Sequence, residues 1–272
     1  MTDRVQVEIE GGIAHVRLNR PDKKNALDSE MFEGLITAAD RLGADPDVRA
    51  VVLSGAGDSF CSGLDFSSFD DMAKGDLDAD DDRVQDAAAD LSRDGANRAQ
   101  QLGWRWQELP VPVIAAVQGA AYGGGFHIAL GADIRFIAPD ARIAFVEITW
   151  GLVPDLSGTQ ALRRLVPLDV AKKLIFSGEP ISGAEAVALH LGTELSDDPL
   201  ASAFELARTI AKRSPDAIRE AKRLLNASGL VSAREGLANE FAASARLMGG
   251  ANQIEAVVAK MQKREPSFGP AA

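Results

Sequence analysis

The sequence predicts an α/β fold in which parallel strands are joined by helical crossovers and followed by a helical region. Three observations carry that expectation. Short β-branched or apolar runs recur at residues 50–54, 113–117 and 134–138, helix-compatible sequence separates each run from the next, and after Gly158 the apolar residues return with a helical period.

Taken in order, residues 5–10 and 13–18 alternate apolar with polar on either side of Gly11-Gly12, the pattern of a β-hairpin. Asp28 and Ser29 are residue types that cap a helix N-terminus, and the helix they open runs toward Leu42. Val51-Val52-Leu53-Ser54-Gly55 reads as a buried strand, followed by the small-residue turn Ser59-Phe60-Cys61-Ser62-Gly63-Leu64-Asp65. From Phe66 to Asp94 the composition changes, because ten aspartates crowd a stretch poor in large apolar residues. Like-charge repulsion with little to bury makes this insert, about residues 66–95, a mobile solvated loop by expectation.

Beyond Gly158, segments 162–165, 170–176, 184–191, 203–211, 216–225, 233–247 and 253–263 all fit helices. Ser182 with Glu185 forms a capping box, and Ser214-Pro215 opens a further helix. The expected division is a core over residues 1–200 and a helical region over 201–272, whose apolar faces need covering.

Composition sets limits on function. A chain of 272 residues that is 46% hydrophobic can bury a full core. A net charge of −11 argues against a nucleic-acid partner, since phosphate backbones are gripped by clustered Lys and Arg. With Cys61 as the single cysteine no internal disulfide forms, and neither a secretory apolar region nor a membrane-length apolar run occurs, so a soluble, cytoplasmic protein without a membrane partner is expected. No metal is expected: His15, His127 and His190 are far apart in sequence, and Cys61 stands alone without a zinc spacing.

The most informative stretch is Ala120-Ala121-Tyr122-Gly123-Gly124-Gly125-Phe126-His127. Three glycines between an apolar strand and a helix-forming run leave no Cβ above the backbone, so amide N–H groups can point into a pocket at a helix N-terminus and hold a negative oxygen. The turn ending in Leu64-Asp65 has the same character. If the amides of Leu64 and Gly124 converge, they form a two-donor oxyanion hole.

These segments resemble the crotonase (enoyl-CoA hydratase/isomerase) superfamily. The matching pieces are Leu18-Asn19-Arg20-Pro21 with Asn25-Ala26-Leu27, Phe60-Cys61-Ser62-Gly63-Leu64-Asp65, the glycine block leading to Gly131-Ala132-Asp133-Ile134, Glu147 through Gly158-Thr159-Gln160, and the tail Lys263-Arg264-Glu265-Pro266-Ser267-Phe268. Five motifs in order, spread nearly end to end, are far more specific than a glycine-rich segment alone. The resemblance implies a spiral of ββα turns, an acyl-CoA thioester substrate with coenzyme A as part of it and no separate cofactor, and a homotrimer or dimer of trimers. It also implies that the acidic insert borders the acyl pocket, where a flap is the alternative to the plain solvated loop. Coenzyme A is anionic, so a local cationic patch is required, and Lys23, Lys24 and Lys263, with Ala26 and Asp65 in the matching motifs, are the candidates for holding it.

A thioester becomes acidic at its α-carbon only when the enolate oxygen is held, so a base must stand near the oxyanion hole. Glu147 fits that base, since Phe145, Val146 and Ile148 around it would desolvate a carboxylate and raise its pKa; a surface salt bridge is the alternative. Hydratases that resemble this chain carry a second glutamate on the helix after the glycine block, where this chain has His127. Imidazole can serve as acid or base, or simply pack. Asp155, eight residues after Glu147, resembles the aspartate of dienoyl-CoA isomerases, though those carry a further aspartate at the His127 position. In that resemblance Asp155 takes a proton near the thioester and Glu147 delivers one farther along the chain. The alternative is that Asp155 caps the helix beginning near Ser157. The expected activity is therefore enoyl-CoA or dienoyl-CoA double-bond isomerisation, with 2-enoyl-CoA hydration as the first alternative and a non-catalytic acyl-CoA binding protein as the second.

Overall fold

The computed structural model describes residues 4–65 and 91–271. β1 (Val5–Glu10) and β2 (Ile13–Leu18) form the expected antiparallel hairpin. It turns through Gly11 and Gly12 at φ of 56° and 78°, left-handed backbone that favours glycine. α1 (Ser29–Ala44) starts where the Asp28 carboxylate accepts a hydrogen bond from the Met31 amide at 2.9 Å, and it buries Met31, Leu35, Ala39 and Leu42 along one stripe. β3 (Ala50–Gly55), buried throughout, lies parallel to β2.

α2 (Arg98–Glu108) opens with a capping box between Asn97 and Gln100 and leads to β4 (Val113–Val117), parallel to β3. β5 (Ala120–Tyr122) leaves this sheet, α3 (Gly124–Gly131) follows, and β6 (Ile134–Ile137) returns to lie parallel to β4. β7 (Arg142–Ala144) pairs with β5 in parallel and joins a second, three-stranded sheet completed by β8 (Ile181–Ser182). Between them lie α4 (Gly158–Leu165) and α5 (Leu168–Ser177). α6 (Gly183–Ala188) is capped by Ser182 and Glu185 as expected, but it ends before Leu191, because His190 adopts a left-handed φ of 63°. β9 (Glu194–Leu195) closes the main sheet, whose order among the described residues is β1-β2-β3-β4-β6-β9.

Strand alternation divides the core. One face of the main sheet, with Leu53, Ala115 and Val117, packs with Leu35, Trp106 and Phe126 from α1, α2 and α3. The other face, with Ile13, Val52, Ile114 and Phe136, is covered by Ala203 and Ala207 of α7 (Pro199–Ala211). The boundary expected between residues 200 and 201 therefore falls within a helix that packs on the core sheet. α8 (Pro215–Ala227), α9 (Ala233–Leu247) and α10 (Ala251–Gln262) follow. Lys222 ties α8 back to the core through an ion pair with Asp133 at 2.7 Å and hydrogen bonds to the carbonyls of Trp106 and Val111. Leu237, Phe241, Ile254 and Met261 on the last two helices are exposed. Residues 66–90, which hold most of the acidic insert, lie outside the described residues.

Candidate active site

Beyond the C-terminal ends of β3 and β4, two stretches of backbone run side by side. The Cys61 amide donates to Ala120 O at 3.0 Å, and the Tyr122 amide donates to Cys61 O at 3.0 Å. The approach leaves no room for side chains: a Cβ on Gly63 would stand 2.8 Å from Tyr122 O, and one on Gly125 would stand 2.4 Å from Cys61 O. The buried Asn25 side chain pins the turn, accepting from the Arg20 amide at 2.8 Å and donating to the carbonyls of Ala56 and Ser59 at 2.9 and 2.8 Å. Leu64 is framed on both sides, since Leu27 donates to Gly63 O at 2.8 Å and receives the Asp65 amide at 3.0 Å. Among the described residues neither the Leu64 nor the Gly124 amide has an acceptor; Gly124 is the first residue of α3, where the helix itself supplies none.

Glu147 stands over the start of α3, in a 3₁₀ turn, Val146–Trp150, that follows β7. A Cβ on Gly123 would lie 2.9 Å from Glu147 Oε1, so the glycine is needed for the carboxylate to reach the helix N-terminus; its φ of 49° favours glycine as well. The Glu147 side chain is only 11% exposed and among the described residues meets no Lys or Arg, so no surface salt bridge forms there. Burial first, and then the nearby Asp155 carboxylate, raise its pKa to about 7. Asp155 sits on the exposed loop before α4, its own carboxyl also raised by partial desolvation. It does not cap that helix: Ser157 is the N-cap and no side chain closes the end.

His127 is buried completely beneath Glu147, its Nε2 3.4 Å from Oε1. A Cβ on Gly158 would stand 2.5 Å from Nε2, so α4 presses backbone onto the imidazole. Burial lowers its pKa to about 3, so the ring is neutral at physiological pH. Among the described residues neither ring nitrogen has a hydrogen-bond partner, and neither does Glu147 Oε2.

The residues expected to hold coenzyme A separate into two groups. Lys23 and Lys24 are exposed, and their carbonyls receive hydrogen bonds from the Ser62 hydroxyl and amide, which sets both lysines against the Leu64 turn. Ala26 is buried beside them. The Asp65 carboxylate is engaged by Arg20 in an ion pair at the same turn. Lys263 is not brought to this site within the chain, because the tail just beyond it is anchored at the opposite end of the sheet, with Arg49 donating to Gly269 O at 2.7 Å. Sequence reasoning passed over Arg20 and the Asn25 side chain as parts of the site, although both stand in the quoted motifs. Among the described residues no three His, Cys, Asp or Glu side chains gather as a metal cluster would, and no helix is long and apolar enough to cross a membrane.

With this geometry in place, comparison with known proteins is informative. Residues 8–269 match the family model described as enoyl-CoA hydratase/isomerase. The 2,3-dehydroadipyl-CoA hydratase of Escherichia coli is 34% identical, with 92% of each chain covered. The short-chain-enoyl-CoA hydratase of Clostridium acetobutylicum is 32% identical over 97% of this chain and 96% of its own. Among solved structures, the enoyl-CoA hydratase of Bacillus anthracis superimposes with a TM-score of 0.85 at 28% identity, covering 97% of this chain and 98% of that one.

Proposed function

The chain belongs to the enoyl-CoA hydratase/isomerase family, and from that premise we propose that it moves a double bond within an enoyl-CoA or dienoyl-CoA thioester rather than adding water across one. The observation that carries this reading is the pairing of Glu147, buried and with its pKa raised to about 7, with a solvent-excluded His127 where a second water-holding carboxylate would be needed. In a 3-enoyl-CoA, the Glu147 carboxylate takes the proton from the α-carbon. The electron pair passes to the thioester oxygen, where the Leu64 and Gly124 amides hold it, and the same carboxyl returns the proton at the γ-carbon. In a 3,5-dienoyl-CoA the transfer spans a longer conjugated system, and Asp155 supplies a second proton-transfer group near the thioester. Lys23, Lys24 and Ala26 border the coenzyme A part of the substrate, and no cofactor enters the chemistry.

Hydration is the second reading. The relatives above bear hydratase names, which supports it, and Asp155, which raises the Glu147 pKa, would be the second carboxylate available to a water. Incubation with 2-enoyl-, 3-enoyl- and 3,5-dienoyl-CoA esters and product analysis separates the two. Isomerised products from the 3-enoyl or dienoyl ester, faster than hydration of the 2-enoyl ester, are expected. Rapid hydration with negligible isomerisation overturns the proposal, and tight binding without any turnover would mark an acyl-CoA binding protein instead. The exposed apolar residues of α9 and α10 support a homotrimer or a dimer of trimers as the working assembly, which sedimentation velocity tests directly.

A further inference from the structure

Three buried polar atoms at one place lack partners among the described residues: both ring nitrogens of His127 and Oε2 of Glu147. Buried polar groups are ordinarily satisfied, and an unpaired one is destabilising, so a cluster of this kind calls for a function. The imidazole has little freedom to move. The backbone of Gly158 lies against Nε2, the ring of Phe145 is tilted over it with centroids 5.9 Å apart, and the His127 amide is bonded to Gly123 O at 3.1 Å. Glu147 is the partner able to adjust, since it stands on a 3₁₀ turn, and its Oε1 is 3.4 Å from Nε2, a few tenths of an ångström beyond an ordinary hydrogen bond.

We propose that His127 is a positioning residue for Glu147: its Nε2–H donates to Oε1 of the ionised carboxylate, leaving Oε2 as the oxygen that carries the substrate proton. The inference rests on the reading of Glu147 as the base. It explains why a histidine without access to solvent occupies the place: the buried ring acts through its neighbour. The neutral ring is a donor at Nε2 in one tautomer, and burial keeps it neutral throughout the range in which Glu147 titrates. The other influences on that titration are the Asp155 carboxylate from the loop before α4 and the Glu147 backbone amide from its own turn.

The test compares His127→Phe, which keeps ring shape without a donor, with His127→Gln, which keeps an N–H donor, on whichever thioester the enzyme turns over. The phenylalanine variant should lose roughly tenfold in kcat with KM within about twofold, and the rising limb of its pH–rate profile should move up by about one pH unit, because the ionised carboxylate has lost a donor. Glutamine should restore most of both. An unmoved pH profile in the phenylalanine variant, or equal losses in both variants, overturns the proposal. Should the phenylalanine variant fail to fold, ¹⁵N NMR of the unaltered protein decides: the His127 Nε2 resonance should respond as Glu147 titrates and lose that response in Glu147→Gln, and a response-free resonance overturns the proposal. Full turnover by Glu147→Gln would instead remove the base assignment, whatever His127 does; an inactive Glu147→Gln beside an unchanged His127→Phe removes only the inference about His127.

Discussion

On one side of the site, Leu64 and Gly124 present backbone amides fixed by hydrogen bonds from Leu27, Asn25 and Tyr122. On the other, Glu147 and Asp155 present carboxylates on a 3₁₀ turn and an exposed loop, and Oε2 of Glu147 has no hydrogen-bond partner among the described residues. The first half is made of main chain, and its geometry follows from where side chains are absent. The second is made of side chains whose chemistry depends on what surrounds them. The difference teaches that the part proposed to hold the anion is specified by local glycine pattern, whereas the part proposed to transfer protons is specified by burial, which arises from distant elements.

Removing the proposed base should break the comparison most severely. Glu147→Gln keeps the shape but cannot carry a proton, so kcat should fall about 10⁴-fold, the upper end for a general base, while affinity for a product CoA ester stays within a few-fold. Steady-state kinetics beside calorimetric binding checks it; retained turnover would take Glu147 out of the mechanism. Gly124→Pro attacks the other half by deleting the N–H proposed to hold the enolate, at a cost of about 10²–10³ in kcat. A folded variant, verified by circular dichroism, that turns over normally would release that amide from the oxyanion role.

Those two halves were unequally legible in the sequence. The hairpin at Gly11-Gly12, the Asp28 cap, the Ser182–Glu185 capping box and the parallel strands at 50–54 and 113–117 follow from patterns within a few residues, and the structure contains them. The glycines of the two facing segments were legible because backbone contacts at 2.8 and 2.4 Å forbid a Cβ at Gly63 and Gly125, and Gly123 takes a left-handed φ of 49°. The second sheet was not, because β5 and β7 have three residues each and β8 two, too few to establish a period. The state of His127 was hidden for another reason: Gly158, which presses on the ring, is 31 positions away in the chain, and nothing local distinguishes a buried imidazole from a reactive one. The same holds for Asp155, which sequence allowed as a helix cap and the structure leaves near Glu147.

A smaller effect sharpens the division within the carboxylate half. Asp155→Asn should impair dienoyl-CoA isomerisation about tenfold more than 3-enoyl isomerisation, since only the longer transfer needs two separated proton-transfer groups. Equal losses on the two substrates, measured as kcat/KM, would give Asp155 a general electrostatic part and no role as a second group.

The smallest effect is on stability, and it sets the two buried titratable groups against each other. Glu147 has a folded pKa raised to about 7, so its contribution is fully present below the ordinary value of 4.5 and is lost as pH rises through about 7. His127 has a folded pKa lowered to about 3, so its contribution is present above the ordinary 6.5 and is lost as pH falls toward about 3. Between pH 4.5 and 6.5 the two slopes oppose and partly cancel. Glu147→Gln removes one of them, so its Tm relative to the unaltered protein should rise from pH 5 to pH 8 by a few degrees, roughly the change expected for a perturbation of this order in a chain of this size. His127→Phe should do the reverse near pH 5, leaving the Glu147 slope uncompensated and the protein steadily less stable as pH rises. Calorimetry at closely spaced pH values reads both. Curves for Glu147→Gln that run parallel to those of the unaltered protein would mean that Glu147 titrates alike in the folded and unfolded chain, and the burial argument for its basicity at neutral pH would fall with them.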